Sequence, residues 1–171
     1  MKRTINVVVG GLGGQGVLKA SDILAEAVFS VGFDVKKSEI HGMSQRGGSV
    51  TSDVRFGETV LSPMVPEGGA DYLVVIAADQ IEPNRHLLCE GGTLIGPDLL
   101  NGQTLKSPRS INVALLGALS VFLDQEAEVR GRLDVSGWEK AIRSNLAPRL
   151  HEDNLNAFAV GREAAAQALR R

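Results

Sequence analysis

Hydrophobic positions change period along this chain, and the changes predict its elements. Ile5 to Val9 is mainly apolar and predicts a first strand. Val17, Ala20, Leu24, Ala27, Val28 and Val31 then recur at helical spacing, with Lys19, Asp22, Glu26 and Ser30 on the opposite side, so a helix should cover one face of a sheet. Gly32 stops it, and Phe33 to Ile40 predicts a second strand. After a loop of small and polar residues, Val50, Val54 and Phe56 alternate with Thr51, Asp53 and Arg55, the period of a half-buried strand. Gly57-Glu58 reads as a two-residue turn and Thr59 to Leu61 as the returning strand.

The second half is more apolar. Tyr72 to Ala78 predicts a central strand buried on both faces, followed by a helix from Asp79 to Cys89, a stop at Gly91-Gly92 and a short strand at Thr93 to Ile95. Pro97 to Pro108 is a polar connector with an edge strand at Thr104 to Lys106. Val113 to Leu123 is apolar nearly all round, which predicts a helix sandwiched between sheet and other protein. Ser136-Gly137-Trp138-Glu139 fits a capping box for a helix through Leu146. Leu155, Phe158, Ala165 and Leu169 mark one face of a terminal helix that needs a partner surface. The expected fold is α/β: a three-layer Rossmann-like domain over residues 1–171, with a mostly parallel sheet and an antiparallel hairpin insertion.

Composition narrows the function. With 171 residues, 43% of them hydrophobic, the chain can bury a sizeable core without disulfides. A formal charge of −2 and the lack of a long basic run argue against a general nucleic-acid binder. No apolar stretch approaches the roughly 20 residues of a membrane span, and a signal-peptide pattern is missing, so a cytoplasmic protein is expected. Cys89 is the single cysteine, which excludes an internal disulfide and a four-cysteine cluster, and it reads as a small hydrophobe.

Gly10-Gly11-Leu12-Gly13-Gly14-Gln15-Gly16 joins the first strand to the first helix, and Gly11, Gly13 and Gly16 match G-x-G-x-x-G. A dinucleotide reading would set a pyrophosphate on this turn and a ribose on Asp34 or, better placed, Glu39. Against it, a hairpin stands where the second crossover helix would be, and no hydride-transfer constellation is evident. His41, His86 and His151 are too dispersed for a metal motif, and Ser44 lacks a G-x-S-x-G elbow. Arg46, set among Gly42, Gly47, Gly48 and Ser49, has the planar fork that meets a carboxylate or phosphate; equally, it could pair with a neighbouring acid to hold the loop shut.

The strings GGLGGQGVLKASDILAEA, VKKSEIHGMSQRGGSVTSDVRFG and LSPMVPEGGADYLV, continued by Asn112 to Leu119 and Asn154 to Gly161, closely resemble the gamma subunit or domain of 2-oxoacid:ferredoxin oxidoreductases. They look most like the beta subunit of the indolepyruvate branch. The resemblance implies CoA-dependent oxidative decarboxylation of a 2-oxoacid, with thiamine diphosphate (TPP) carrying the carbanion chemistry and iron–sulfur clusters passing electrons to ferredoxin. A thiamine-binding GDG segment is missing, and one cysteine cannot hold a [4Fe–4S] cluster. The implied role is therefore a cofactor-free subunit, inactive alone, beside a larger partner that carries TPP and the clusters. By the same resemblance Gly11, Gly13, Gly14, Gln15, Gly16, Ser44, Gln45, Arg46 and Gly47 face the cleft or the CoA. The connector near Asn101 to Pro108 looks shorter than in such relatives, putting contacts made there in doubt. A homo-oligomer of the isolated chain stays open, as does a free-standing Rossmann-like binding or assembly protein without oxidoreductase activity.

Overall fold

The computed structural model describes residues 3–42 and 47–171. Five strands form one sheet: β1 (Ile5–Leu12), β2 (Asp34–His41), β3 (Ser49–Gly57), β4 (Ala70–Val75) and β5 (Leu88–Ile95), in the order β2-β3-β1-β4-β5. β1 pairs in parallel with β4, and β4 with β5, whereas β3 runs antiparallel to both β1 and β2. The sheet is therefore mixed in its pairings although four of its strands point the same way. Among the described residues the α-helices are α1 (Val17–Ser30), the single turn α2 (Ile81–Asn84), α3 (Ile111–Leu123), α4 (Val135–Asn145) and α5 (His151–Leu169).

Alternation along the strands divides the core. Ile5, Val7 and Val9 of β1, Val54 and Phe56 of β3, and Tyr72 and Val74 of β4 share one face and pack with α1, α3, α4 and α5 into the main core. The opposite face is thinner: Val8, Val65, Ala70, Leu73 and Val75 form a small cluster, joined by Ile81 of α2, Leu87, Leu88 and Leu94. The three layers are thus one thick helical layer, the sheet, and a thin outer layer made of α2 and the connection between β3 and β4.

Several expectations need correction. Thr59 to Leu61 is not a returning strand; the antiparallel hairpin is β2 with β3, and the backbone after Gly57 is drawn away by long-range bonds, among them Val60 N–H to Asp34 at 2.7 Å. The predicted helix from Asp79 to Cys89 is broken into 3-10 turns at Ala78–Gln80 and Arg85–Leu87 around α2. Pro83 lacks the N–H that a continuous helix requires. As a result Gly91 and Gly92 lie inside β5. Thr104 to Lys106 is not a strand. The cap of α4 is Asp134, which accepts from Gly137 N at 2.9 Å and whose carboxyl is held below its usual range chiefly by that bond; Ser136 donates to the same carboxylate.

The partner surface of α5 is α3. The two helices cross at contact distance because each carries a glycine there: a Cβ on Gly161 would stand 1.7 Å from the Ala114 carbonyl oxygen, and one on Gly117 would stand 2.1 Å from that of Phe158. Arg162 fastens the crossing, donating to Ser120 Oγ at 2.6 Å and to Asp124 at 3.1 Å. Leu169, expected on the buried face, is exposed because α5 outruns α3. At the amino-terminal edge of the sheet, Tyr72 donates to Glu126 at 2.5 Å beside Arg3 and Asp71, and burial raises the pKa of its hydroxyl.

The glycine crossing yields a test with a definite sign. In an open helix Gly161→Ala would gain about 1 kcal/mol of propensity; here the methyl must push two backbones apart. Urea denaturation of the variant should show a net loss of about 2–3 kcal/mol, and an unchanged or higher midpoint would mean the crossing is loose.

Candidate functional site at the carboxyl edge

The carboxyl ends of β1, β2 and β4 and the start of β3 meet at one edge, where open α/β sheets place their ligands. The glycine turn sits in its middle. Gly14 and Gly16 have φ of +87° and +82°, a region L side chains rarely enter, and this lets the strand reverse directly into α1. The turn is closed by its own residues: Gln15 accepts from Leu12 N at 2.7 Å, and Gln15 N–H bonds the Leu12 carbonyl at 3.1 Å. Gly11 lies beneath, covered by the side chains of Val17 and Gln15.

Two contacts bind the turn to the rest of the edge. Gly13 N–H donates to Gly48 O at 2.8 Å, which brings the end of the polar loop, with Gly47, against the turn. From the other side Asn112, at the start of α3, donates to Gly16 O at 3.1 Å, and its amide would lie 2.4 Å from a Cβ at position 16. Thus Gly11, Gly13, Gly14, Gln15, Gly16 and Gly47 lie together at this edge. Ser44, Gln45 and Arg46 lie outside the described residues.

A cleft of about 420 Å³ opens between the turn and the start of α3, lined by Gly14, Gln15, Gly16, Ile76, Arg109 and Asn112 among others. It lies where the chain's connections diverge, β1 leading to one side of the sheet and β4 to the other. Arg109 is exposed there and has no hydrogen bond or ion pair with any described residue. The first N–H groups of α1 lie at the same edge with no acceptor among the described residues, whereas the first of α3, Ile111 N–H, donates to Pro108 O. Chemically, the cleft suits an anion with some apolar surface. A second cleft, also about 420 Å³, lies across the turn between Lys19, His41 and Val50.

Sequence reasoning missed Arg109 and the role of Asn112. The connector that holds Pro108 and Arg109 supplies a wall of the cleft, despite its expected shortness. One signal was present: a cation directly before an apolar helix opposes the helix dipole, so Arg109 is badly placed for stability alone. The ribose candidates are elsewhere. β3 lies between β1 and β2, so Glu39 is two strands, about 10 Å, from the turn that a dinucleotide would use, and it pairs with Lys37 at 3.5 Å. Asp34 is at the amino end of β2, its carboxyl held low mainly by Val60 N–H and next by Lys36. Among the described residues no group of three or more His, Cys, Asp or Glu could hold a metal, and no helix is long and apolar enough to cross a membrane.

A family model for pyruvate ferredoxin/flavodoxin oxidoreductase matches residues 6–102. The chain belongs to that family. The match spans the whole sheet and the glycine turn and ends before Arg109. Beyond it, the chain is similar over nearly its full length to the indolepyruvate oxidoreductase subunit IorB of Thermococcus kodakarensis, 31% identical over 207 residues that cover 96% of this chain and 97% of the relative. Solved structures agree on the fold. The gamma subunit of a keto/oxoacid ferredoxin oxidoreductase from Geobacter sulfurreducens matches with a TM-score of 0.73 at 24% identity, covering 97% of this chain and 98% of that one. The 2-oxoglutarate:ferredoxin oxidoreductase of Magnetococcus marinus, solved with 2-oxoglutarate, coenzyme A and succinyl-CoA bound, matches with a TM-score of 0.75 at 19% identity; it covers 98% of this chain but 32% of the larger one. This family member is therefore homologous to small subunits of 2-oxoacid:ferredoxin oxidoreductases.

The family's turn can be dissected with two alanines. At Gly14 a Cβ meets nothing within 4 Å, so Gly14→Ala carries only the left-handed strain, about 1–2 kcal/mol. Gly16→Ala has the same strain and also displaces Asn112, and should cost about 2 kcal/mol more. Equal losses in chemical denaturation would show that Asn112 does not lock the turn.

Proposed function

We propose that this chain is the cofactor-free small subunit of a CoA-dependent 2-oxoacid:ferredoxin oxidoreductase that acts on indolepyruvate or a similar arylpyruvate. The observation that carries the reading is the full-length similarity to a subunit of an indolepyruvate oxidoreductase, in a chain whose single cysteine cannot supply four thiolates for a cluster. A larger partner subunit would hold TPP and the [4Fe–4S] clusters, and ferredoxin would take the electrons from the complex. Thiamine chemistry, when that partner is present, supplies the carbanion; the residues of this chain bind and position.

The carboxyl edge is the part of this chain that would face the partner's active site. A CoA molecule carries a pyrophosphate and a further phosphate, and the guanidinium of Arg109, without a partner among the described residues and near the start of α1, supports binding of such an anion. Ser44, Gln45, Arg46 and Gly47 belong to the same reading by resemblance and would line the cleft with the turn glycines. Asn112 and Gln15 keep the turn in shape and do not react.

Reconstitution tests this. Mixed with each 2-oxoacid, CoA and a viologen dye, the purified chain should show no reduction, even with added TPP; adding the large subunit should produce it. In the complex Arg109→Ala should raise the KM for CoA by about tenfold or more, the value of a lost charge-assisted hydrogen bond, with kcat and the melting temperature of the free chain little changed. Turnover by the chain alone would contradict the subunit role. An unaltered KM in fully assembled variant complex would remove Arg109 from the site.

A further inference from the structure

The two clefts that flank the glycine turn differ in chemistry. The one toward α3 has a polar lining that includes Gln15, Arg109 and Asn112. The one toward β2 and β3, also about 420 Å³, is walled mainly by apolar groups: Leu12 at the end of β1, Val17 and Leu18 at the start of α1, and Val50 of β3. It lies on the helical side of the sheet. Val50 belongs to the main core and pairs with His41, which shares a face of β2 with Lys37, the residue that reaches Asp22 of α1.

Val17 and Val50 are buried and serve the core, so they form the floor of this cleft. Leu12 is different: it is half-buried and belongs to neither core cluster, which leaves its side chain available to a ligand. Gly13, Gly14 and Gly16 add peptide planes without side chains to the same lining, and a Cβ on Gly14 would meet nothing within 4 Å. A flat ring can lie against such bare planes, with leucine side chains at its edges and the His41 imidazole beside it. Charge marks the rim. Lys19 is exposed there and has no hydrogen bond or ion pair with any described residue. It stands in the first turn of α1, where no acidic residue balances the helix dipole, so a carboxylate at the rim would satisfy both. Glu39 does not fill that role: it lies 3.9 Å from His41 and pairs with Lys37 at 3.5 Å.

We infer that this cleft binds an aryl carboxylate, with the ring against Leu12, Leu18 and Val50 and the carboxylate on Lys19. The identity of the natural ligand rests on the subunit reading above. On that reading it is the arylpyruvate, in which an aromatic ring and a carboxylate are joined by a short link, and Leu12 and Lys19 set the preference for aromatic 2-oxoacids. The two sides of the turn then divide the work: the polar cleft at Arg109 suits phosphates, and the apolar cleft at Leu12 suits the ring.

Indole-3-propionate keeps the ring, the link and the carboxylate but has no oxo group to react, so it serves as the probe. Titrated into the isotope-labelled full chain, it should shift the amides of Gly13, Leu18 and Val50 saturably, and its ring protons should show NOEs to the methyls of Leu12, Leu18 and Val50. Indole and propionate, each lacking one half, should bind at least fivefold more weakly. Leu12→Ala should weaken binding of the probe about fivefold, the effect of losing part of a leucine's burial. Lys19→Gln should weaken it about threefold, as expected of an exposed ion pair; both variants should melt as the wild type does. No saturable shifts at the cleft, NOEs only to other residues, or indole or pantetheine binding there as tightly as the probe would each overturn the inference and leave the subunit role standing. A chain that supports no turnover with the large subunit overturns the subunit role, and with it the assignment of the cleft to a 2-oxoacid, whatever the binding of the probe.

Discussion

The side-chain amide of Asn112 reaches the carbonyl of Gly16, 96 residues earlier, and the carboxyl edge depends on that contact. It can form only if position 16 has no Cβ and α3 starts beside the turn. The second condition is met at the far side of α3, where Gly117 and Gly161 let α5 press against it. The helix is therefore clamped between α5, α1 and the sheet, with its start against the glycine turn. A buried amide left without its acceptor would lose roughly 1–3 kcal/mol, which links the packing of the last helices to the shape of the site.

The glycine turn itself was readable from sequence because strand, glycines and helix follow one another within 26 residues of local pattern, Ile5 to Ser30. So was α3, whose all-round apolarity predicted burial on every side. Errors arose where distant groups decide the local path. Thr59 to Leu61 has strand character, but the bond from Val60 to Asp34 and those from Arg55 to Ser62 and Met64 pull it across the sheet. The helix at Ile81 is interrupted because Pro83 lacks the N–H that would continue it. The turn residues and Gly47, named from the resemblance, lie together at the carboxyl edge; Arg109 was passed over because its one signal, a cation placed against the dipole of α3, gains meaning only when α3 brings it to the cleft.

Insertion of β3 between β1 and β2 separates this fold from a dinucleotide-binding one. In the latter, the second parallel strand neighbours the first and brings an acidic residue to the ribose. Here the neighbour is antiparallel, Glu39 is a strand further out, and the start of β3 delivers Gly47 and Gly48 to the turn instead. In this chain the glycine turn is a rigid junction whose open side meets α3, a geometry suited to an anion.

Amide hydrogen exchange on the free chain and on the chain bound to the large subunit would test the central claim most directly. Val17, Leu18 and Lys19 begin α1, and Asn112 follows Ile111 at the start of α3; their N–H groups have no acceptor among the described residues and should exchange readily in the free chain, unlike that of Ile111, which donates to Pro108 O. Assembly should slow exchange at both helix starts together, with the amino-terminal edge around Tyr72 and Glu126 unchanged. Protection confined to that opposite edge, with the glycine turn and the start of α3 exchanging as before, would contradict the account.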